Sequence, residues 1–247
     1  MSIEPALLAF GLVVGAAYAV QTMIGFGSMI LCVTFGALLL PLPQVLSLAV
    51  PISLVQTGYV VVRHFGGVKL RLLLTEVLPL MIAGGALSLW LLGDLRAPWL
   101  KQAFGALVLM LSLRELWGRL RASGTHEPTV PRWARLVAMF GAGIVHGLFA
   151  TGGPLLVYAL GKEKLTKGEF RSTVTAVWLV LNFALVVVYL RSGRLDASAG
   201  FASASLLPAV AAGIWAGEVL HHKVDEQRFR LFLFAVLTAA ALALILR

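Results

Sequence analysis

The chain has 247 residues, 60% of them hydrophobic and 13% charged, with a mean hydropathy of +0.93. Those values exclude a soluble domain and leave a polytopic helical membrane protein with little mass outside the bilayer. A net charge of +9 would suggest nucleic acid in a soluble chain; here it fits basic loops facing an anionic leaflet, so the expected partner is membrane lipid and not nucleic acid.

Met1-Ser2-Ile3-Glu4-Pro5 carries no basic cluster, so the first apolar segment is expected to be a membrane segment and not a cleavable signal. Pro5 to Leu40 contains no Asp, Glu, Lys, Arg or His. As one helix it would run roughly 54 Å, too long for a single crossing of a core roughly 30 Å thick. It is broken by Gln21-Thr22-Met23-Ile24-Gly25-Phe26-Gly27-Ser28, which gathers an amide, hydroxyls and glycines between two apolar arms. Irregular backbone at membrane depth is tolerated only where protein buries it or where it lines a cavity. The segment is therefore either two short full helices or two half-helices meeting at a polar tip. Cys32 stands alone inside the second arm, which leaves no intramolecular disulfide and no multi-cysteine metal site. No cofactor is implied.

Clean spans are expected at Gln44–Val62, Leu72–Leu92 and Trp99–Trp117, followed by the longest polar connection, Gly118–Arg132. A second broken segment runs from Trp133 to Leu160, and further spans from Ser172 to Leu190, Ala197 to Leu220 and Phe229 to Leu246. Trp90, Trp99, Trp117 and Trp133 fall near segment ends, where interfacial anchors belong.

The second half repeats the design of the first. A shift of 126 places Gly15 on Gly141 and Phe26-Gly27 on Gly152-Gly153; a shift of 129 places Pro79 on Pro208 and Gly84 on Gly213. Such long self-similarity argues for a duplicated unit, with a first membrane repeat at 1–117, a basic inter-repeat loop at 118–132 and a second repeat at 133–247. The Lys and Arg count then selects a threading. If each broken segment crosses once, the two sides carry 11 and 9 basic residues; if each is a hairpin that returns to its own side, they carry 15 and 5. Only the second obeys the positive-inside rule, and it places both termini away from the cytoplasm. It also gives three crossings per repeat, so the repeats are inverted. The expected fold is all-α and polytopic: two inverted repeats, each a re-entrant helical hairpin plus three transmembrane helices. An eight-span bundle is the alternative.

Paired glycine- or proline-interrupted segments in two halves point to a carrier's binding site. Two inverted tips would meet near the midplane, and a half-helix starting there aims unpaired N–H groups and a positive dipole end at the centre, as an anion requires. The candidate substrate-binding residues are Gln21, Thr22, Gly25, Phe26, Gly27, Ser28, His146, Thr151, Gly152, Gly153 and Asn182. The glycines allow an oxyanion to reach the backbone, though small residues also serve helix packing. His146 would be a substrate contact or proton carrier, or else a neutral packed imidazole. Arg63 and Arg191, matched at a shift of 128, would draw anions to the two mouths or snorkel at the interface. Glu76 and Glu218 lie shallow enough to pair with Arg71 or Lys223.

Ile24-Gly25-Phe26-Gly27-Ser28 and Ala150-Thr151-Gly152-Gly153-Pro154-Leu155-Leu156 make the chain resemble the TauE/SafE family over essentially its whole length. The resemblance implies a secondary carrier of the bacterial inner membrane for sulfite, sulfoacetate or related organosulfonates, acting alone or as a homo-oligomer. The second tip has two glycines where many members carry a longer run, a departure that bears on the substrate. With no GxxxxGK[ST] motif, transport would draw on electrochemical gradients. A rival from another class is an intramembrane serine hydrolase with Ser28 as nucleophile and His146 as base.

Overall fold

A computed structural model describes residues 3–24, 26–91, 99–121, 131–160, 163, 165–221 and 226–246. Among the described residues every regular element is helical. The first half folds as α1 (Ile3–Ile24), α2 (Ser28–Leu39), α3 (Leu42–Arg63), a 3₁₀ turn at Phe65–Gly67, a short α4 (Leu70–Leu72), a π-turn at Leu73–Val77, α5 (Leu78–Leu91) and α6 (Trp99–Arg121). The second half gives α7 (Arg132–Phe149), α8 (Gly153–Leu160), α9 (Lys167–Arg191), α10 (Ala197–Ser205), α11 (Leu207–His221) and α12 (Glu226–Leu246). Among the described residues five stretches are long and apolar enough to cross a membrane: Pro5–Met23, Leu42–Arg63, Leu70–Leu91, Gly168–Arg191 and Ala197–Leu220. Much of the expected 118–132 connection lies outside the described residues.

Local sequence accounts for the irregularities. Pro79 has no N–H to give Thr75 and its ring crowds that carbonyl; the wider π-turn at Leu73–Val77 accommodates it. Pro208 sits just beyond Leu206, where the span expected to be continuous over 197–220 breaks into α10 and α11. Asp196 caps α10 by accepting from the Ala199 N–H at 2.7 Å, and Thr166 with Glu169 forms a capping box at the start of α9.

The broken segments fold back on themselves. A Cβ on Gly36, late in α2, would meet both Phe10, early in α1, and Val45 in α3. Likewise Gly141 of α7 faces Leu155 of α8. The arms are unequal, which departs from the expected pair of half-helices. With 22 residues, α1 runs roughly 33 Å and is long enough to span; α2, with 12, and α8, with 8, cover only roughly 18 and 12 Å.

Four long-range pairings hold the bundle: α1 on α11, α5 on α7, α3 on α9 and α6 on α12. The first two are close approaches through small residues. On α5 and α11, Gly84 and Gly213 lie so near the carbonyls of Phe140 and Gly15 that a methyl at either would collide with backbone. In lipid, where apolar burial drives no helix association, such van der Waals contact is what fastens helices together.

Ion pairs gather at one end of the bundle. Lys69 Nζ lies 2.5 Å from Glu169, Arg171 lies 3.3 Å from Glu218, and Arg135 bridges Glu76 at 3.6 Å and Glu163. Arg71 and Lys223 were the expected partners of Glu76 and Glu218, and Lys223 lies outside the described residues. Tertiary folding supplies Arg135 for Glu76 and Arg171 for Glu218, because it packs the start of α7 against the π-turn and the start of α9 near α11.

Candidate functional site

The two turns of the broken segments meet. Gln21, Gly27 and Met29 from the first, and Ala150, Thr151, Gly152 and Gly153 from the second, line one small cavity together with Trp178 and Asn182 of α9. Its volume is ≈ 20 Å³, room for about one water molecule. Among the described residues each turn has a left-handed residue where the chain reverses. Gly27, with φ 110°, precedes α2, and Ala150, with φ 52°, closes α7. Glycine adopts that conformation freely, whereas a Cβ makes it strained. Gly152 then tucks against α7 so tightly that a methyl would strike the Ala142 carbonyl.

Both α2 and α8 begin at this cavity, so their first-turn N–H groups lie beside it. In α2 the Leu31 N–H donates to the Gly27 carbonyl at 3.1 Å, and in α8 the Leu156 N–H donates to the Gly152 carbonyl at 3.0 Å. Pro154 occupies the first turn of α8, where its missing N–H costs no bond.

The polar side chains divide into two groups. At the first tip Gln21 is fully engaged: its Nε2 donates to Gln56 Oε1 at 2.6 Å, while its Oε1 accepts from the Ser28 N–H at 3.3 Å and from the Ser28 hydroxyl. Around the second tip Asn182 and His146 have unmet polar atoms, as Thr22 has at the first. Asn182, 2% exposed on the cavity wall, has no partner for Oδ1. His146, 3% exposed, stacks on Trp178 with ring centroids 5.6 Å apart and 20° between planes. Neither of its ring nitrogens makes a hydrogen bond of good geometry, and the Leu181 backbone is the polar group it faces.

Six of the expected site residues therefore line the cavity: Gln21, Gly27, Thr151, Gly152, Gly153 and Asn182. Ser28 and His146 stand one layer back, behind Gln21 and Trp178. Thr22 does not face the cavity; it packs against Gly217 of α11. Phe26 lines a separate, larger space, with its ring edge 3.4 Å from where a Cβ on Gly153 would sit. Gly25 lies outside the described residues. Arg63 and Arg191 are exposed near the ends of α3 and α9, away from the cavity, and Arg63 donates to the Tyr59 hydroxyl at 3.2 Å.

Sequence reading missed Gln56, Trp178, Met29 and Ala150. Gln56 was within reach, because a shift of 126 places it on Asn182. Trp178 carried no such signal, since a mid-span tryptophan reads as ordinary packing. The serine–histidine pair of the hydrolase reading is not formed: Ser28 gives its proton to Gln21, and His146 stacks on Trp178.

The sulfite exporter TauE/SafE family matches the chain over residues 7–244. A protein of Comamonas testosteroni named "Probable inner membrane transporter protein TsaS" is 26% identical over 201 residues, covering 81% of this chain and 80% of that protein. No solved structure matches.

Proposed function

The chain belongs to the TauE/SafE sulfite exporter family, a family of membrane transporters and not of enzymes, and from that premise we propose that it exports a small sulfur-containing anion across the inner membrane. Sulfite, sulfoacetate and related organosulfonates are the substrate class. The observation that carries this reading is the cavity where two helix starts converge, with the amide of Asn182 on its wall. Helix N-terminal N–H groups favour an oxyanion, and an amide can present N–H donors to the same guest.

The proposed threading is two inverted repeats, 1–117 and 133–247, with paired hairpins. It rests on the ion pairs. A single crossing of the second broken segment would leave Arg135 and Glu163, or Lys69 and Glu169, on opposite faces of the membrane, whereas both are in contact. The helix pairings agree, since exchanging the halves turns α1 on α11 into α7 on α5 and maps α3 on α9 and α6 on α12 onto themselves.

A cavity of ≈ 20 Å³ is too small for a sulfur oxyanion, so loading requires the tips to move apart. A membrane potential negative inside favours anion exit by about 2.3 kcal/mol per charge per 100 mV, so export needs no coupled ion. Counterflow of sulfite and a panel of sulfonates in proteoliposomes tests the reading. The wild type should exchange at least one of them, and Gly153→Val, which puts a branched side chain against Phe26 at the edge of the cavity, should reduce exchange at least about tenfold at equal protein level. Absence of counterflow for every sulfur anion would overturn it.

A further inference from the structure

Beyond the central cavity lies a second space of ≈ 230 Å³, lined by Phe26, Leu111, Arg114, Pro154, Tyr158 and Phe234 among others. The two are neighbours: Gly153 walls the first, Pro154 walls the second, and the Phe26 ring lies against Gly153. Arg114 stands two turns before the end of α6, with its guanidinium 4.6 Å from the centroid of the Tyr158 ring. That stacking fixes the cation without consuming its N–H donors, and Arg114 makes no ion pair among the described residues. Lys69, Arg135 and Arg171, also at this end, are each paired with a carboxylate.

Taking the export reading as its premise, we infer that this space is the antechamber from which the anion is loaded, with Arg114 as the capturing residue and Phe26 as the partition it must pass. The geometry gives the direction. Tyr158 lies near the end of α8, and the chain just beyond it carries Glu163, which is bound to Arg135 at the start of α7. The antechamber therefore belongs to the ion-paired end, the basic face that the proposed threading assigns to the cytoplasm. A guanidinium held against an aromatic wall raises the local concentration of anions by field alone and releases them readily, since it offers one charge and no enclosing cage. The antechamber is more than ten times the volume of the central cavity, so the anion can wait there while the tips remain closed.

The test reads charge at the antechamber without relying on transport. In a Cys32→Ala background, Val157→Cys places a thiol on the antechamber wall. An anionic sulfonate-bearing thiosulfonate reagent and its trimethylammonium analogue are applied to inside-out vesicles. The anionic reagent should react faster, and Arg114→Gln should lower the ratio of the two rates by about tenfold, while Arg114→Lys keeps it. A ratio unaffected by Arg114→Gln, or a thiol that neither reagent reaches, would overturn the capture role. The partition is read in a Thr151→Cys protein, whose labelling from the same side should rise about tenfold on Phe26→Ala; an unchanged rate would remove Phe26 from the path. In proteoliposomes Arg114→Gln should raise the half-saturating anion concentration about tenfold with the maximal rate within about twofold. If the wild type carries no sulfur anion the export reading fails, and the reagent ratio still decides whether Arg114 draws anions into the antechamber.

Discussion

The two tips occupy matching positions of the proposed duplication, yet their polar side chains are partnered differently. Gln21 corresponds to His146 at a shift of 125, Gln56 to Asn182 at 126, and Ser28 to Pro154 at 126. In the first tip those residues close a chain of hydrogen bonds, Ser28 to Gln21 to Gln56. In the second, proline supplies no hydroxyl, so His146 lacks the partner that Gln21 has, and Asn182 keeps an unmet oxygen. A buried polar atom without a partner costs about 1–3 kcal/mol. The Gln21 network thus reads as a fixed wall, while His146 and Asn182 keep polar atoms that are not committed to another side chain.

The largest expected effect comes from the tighter of the two turns. Gly152→Ala should prevent α8 from packing on α7, because its methyl meets the Ala142 carbonyl, and should cost more than about 3 kcal/mol along with most of the folded protein. Gly153→Ala, whose methyl only touches Phe26 at 3.4 Å, should leave the detergent-extracted yield near that of the wild type. Equal yields for the two variants would break the picture of one rigid and one adjustable glycine.

Next in size is a pair of amide replacements that separates wall from guest site. Gln21→Leu orphans Gln56 and Ser28 and should lower stability by about 2–3 kcal/mol in thermal unfolding. Asn182→Leu removes an atom that was already unpaired, so its stability should change by less than about 1 kcal/mol while sulfite counterflow is lost. Matching losses of stability would erase the distinction between the tips.

The smallest effect lies in the backbone. Ala150 holds a left-handed conformation that Gly27 adopts without strain, so Ala150→Gly should raise stability by up to about 1 kcal/mol, and Gly27→Ala should lower it by about 1–2 kcal/mol. Opposite shifts in unfolding temperature are the expected signature. A shift of the same sign in both would mean that the turns are not held by these two residues.

Composition and apolar runs were enough to determine a helical membrane protein, because a chain in lipid must satisfy its backbone within each segment. The two polar breaks were legible too: glycine, hydroxyl and amide residues inside otherwise uncharged stretches have few other uses. Six of the eleven expected binding residues line the cavity for that reason. Which side of a helix a residue faces is a different matter. Thr22 and Gln21 are neighbours in sequence, but the 100° step between them sends one to α11 and the other to the cavity. The unequal arms, the partners of Glu76 and Glu218, and the place of Trp178 between His146 and the cavity depend on which helices lie side by side. Tertiary structure alone decided those, because in a uniformly apolar sequence many pairings bury the same surface, and only close packing and the matching of scarce charges choose among them.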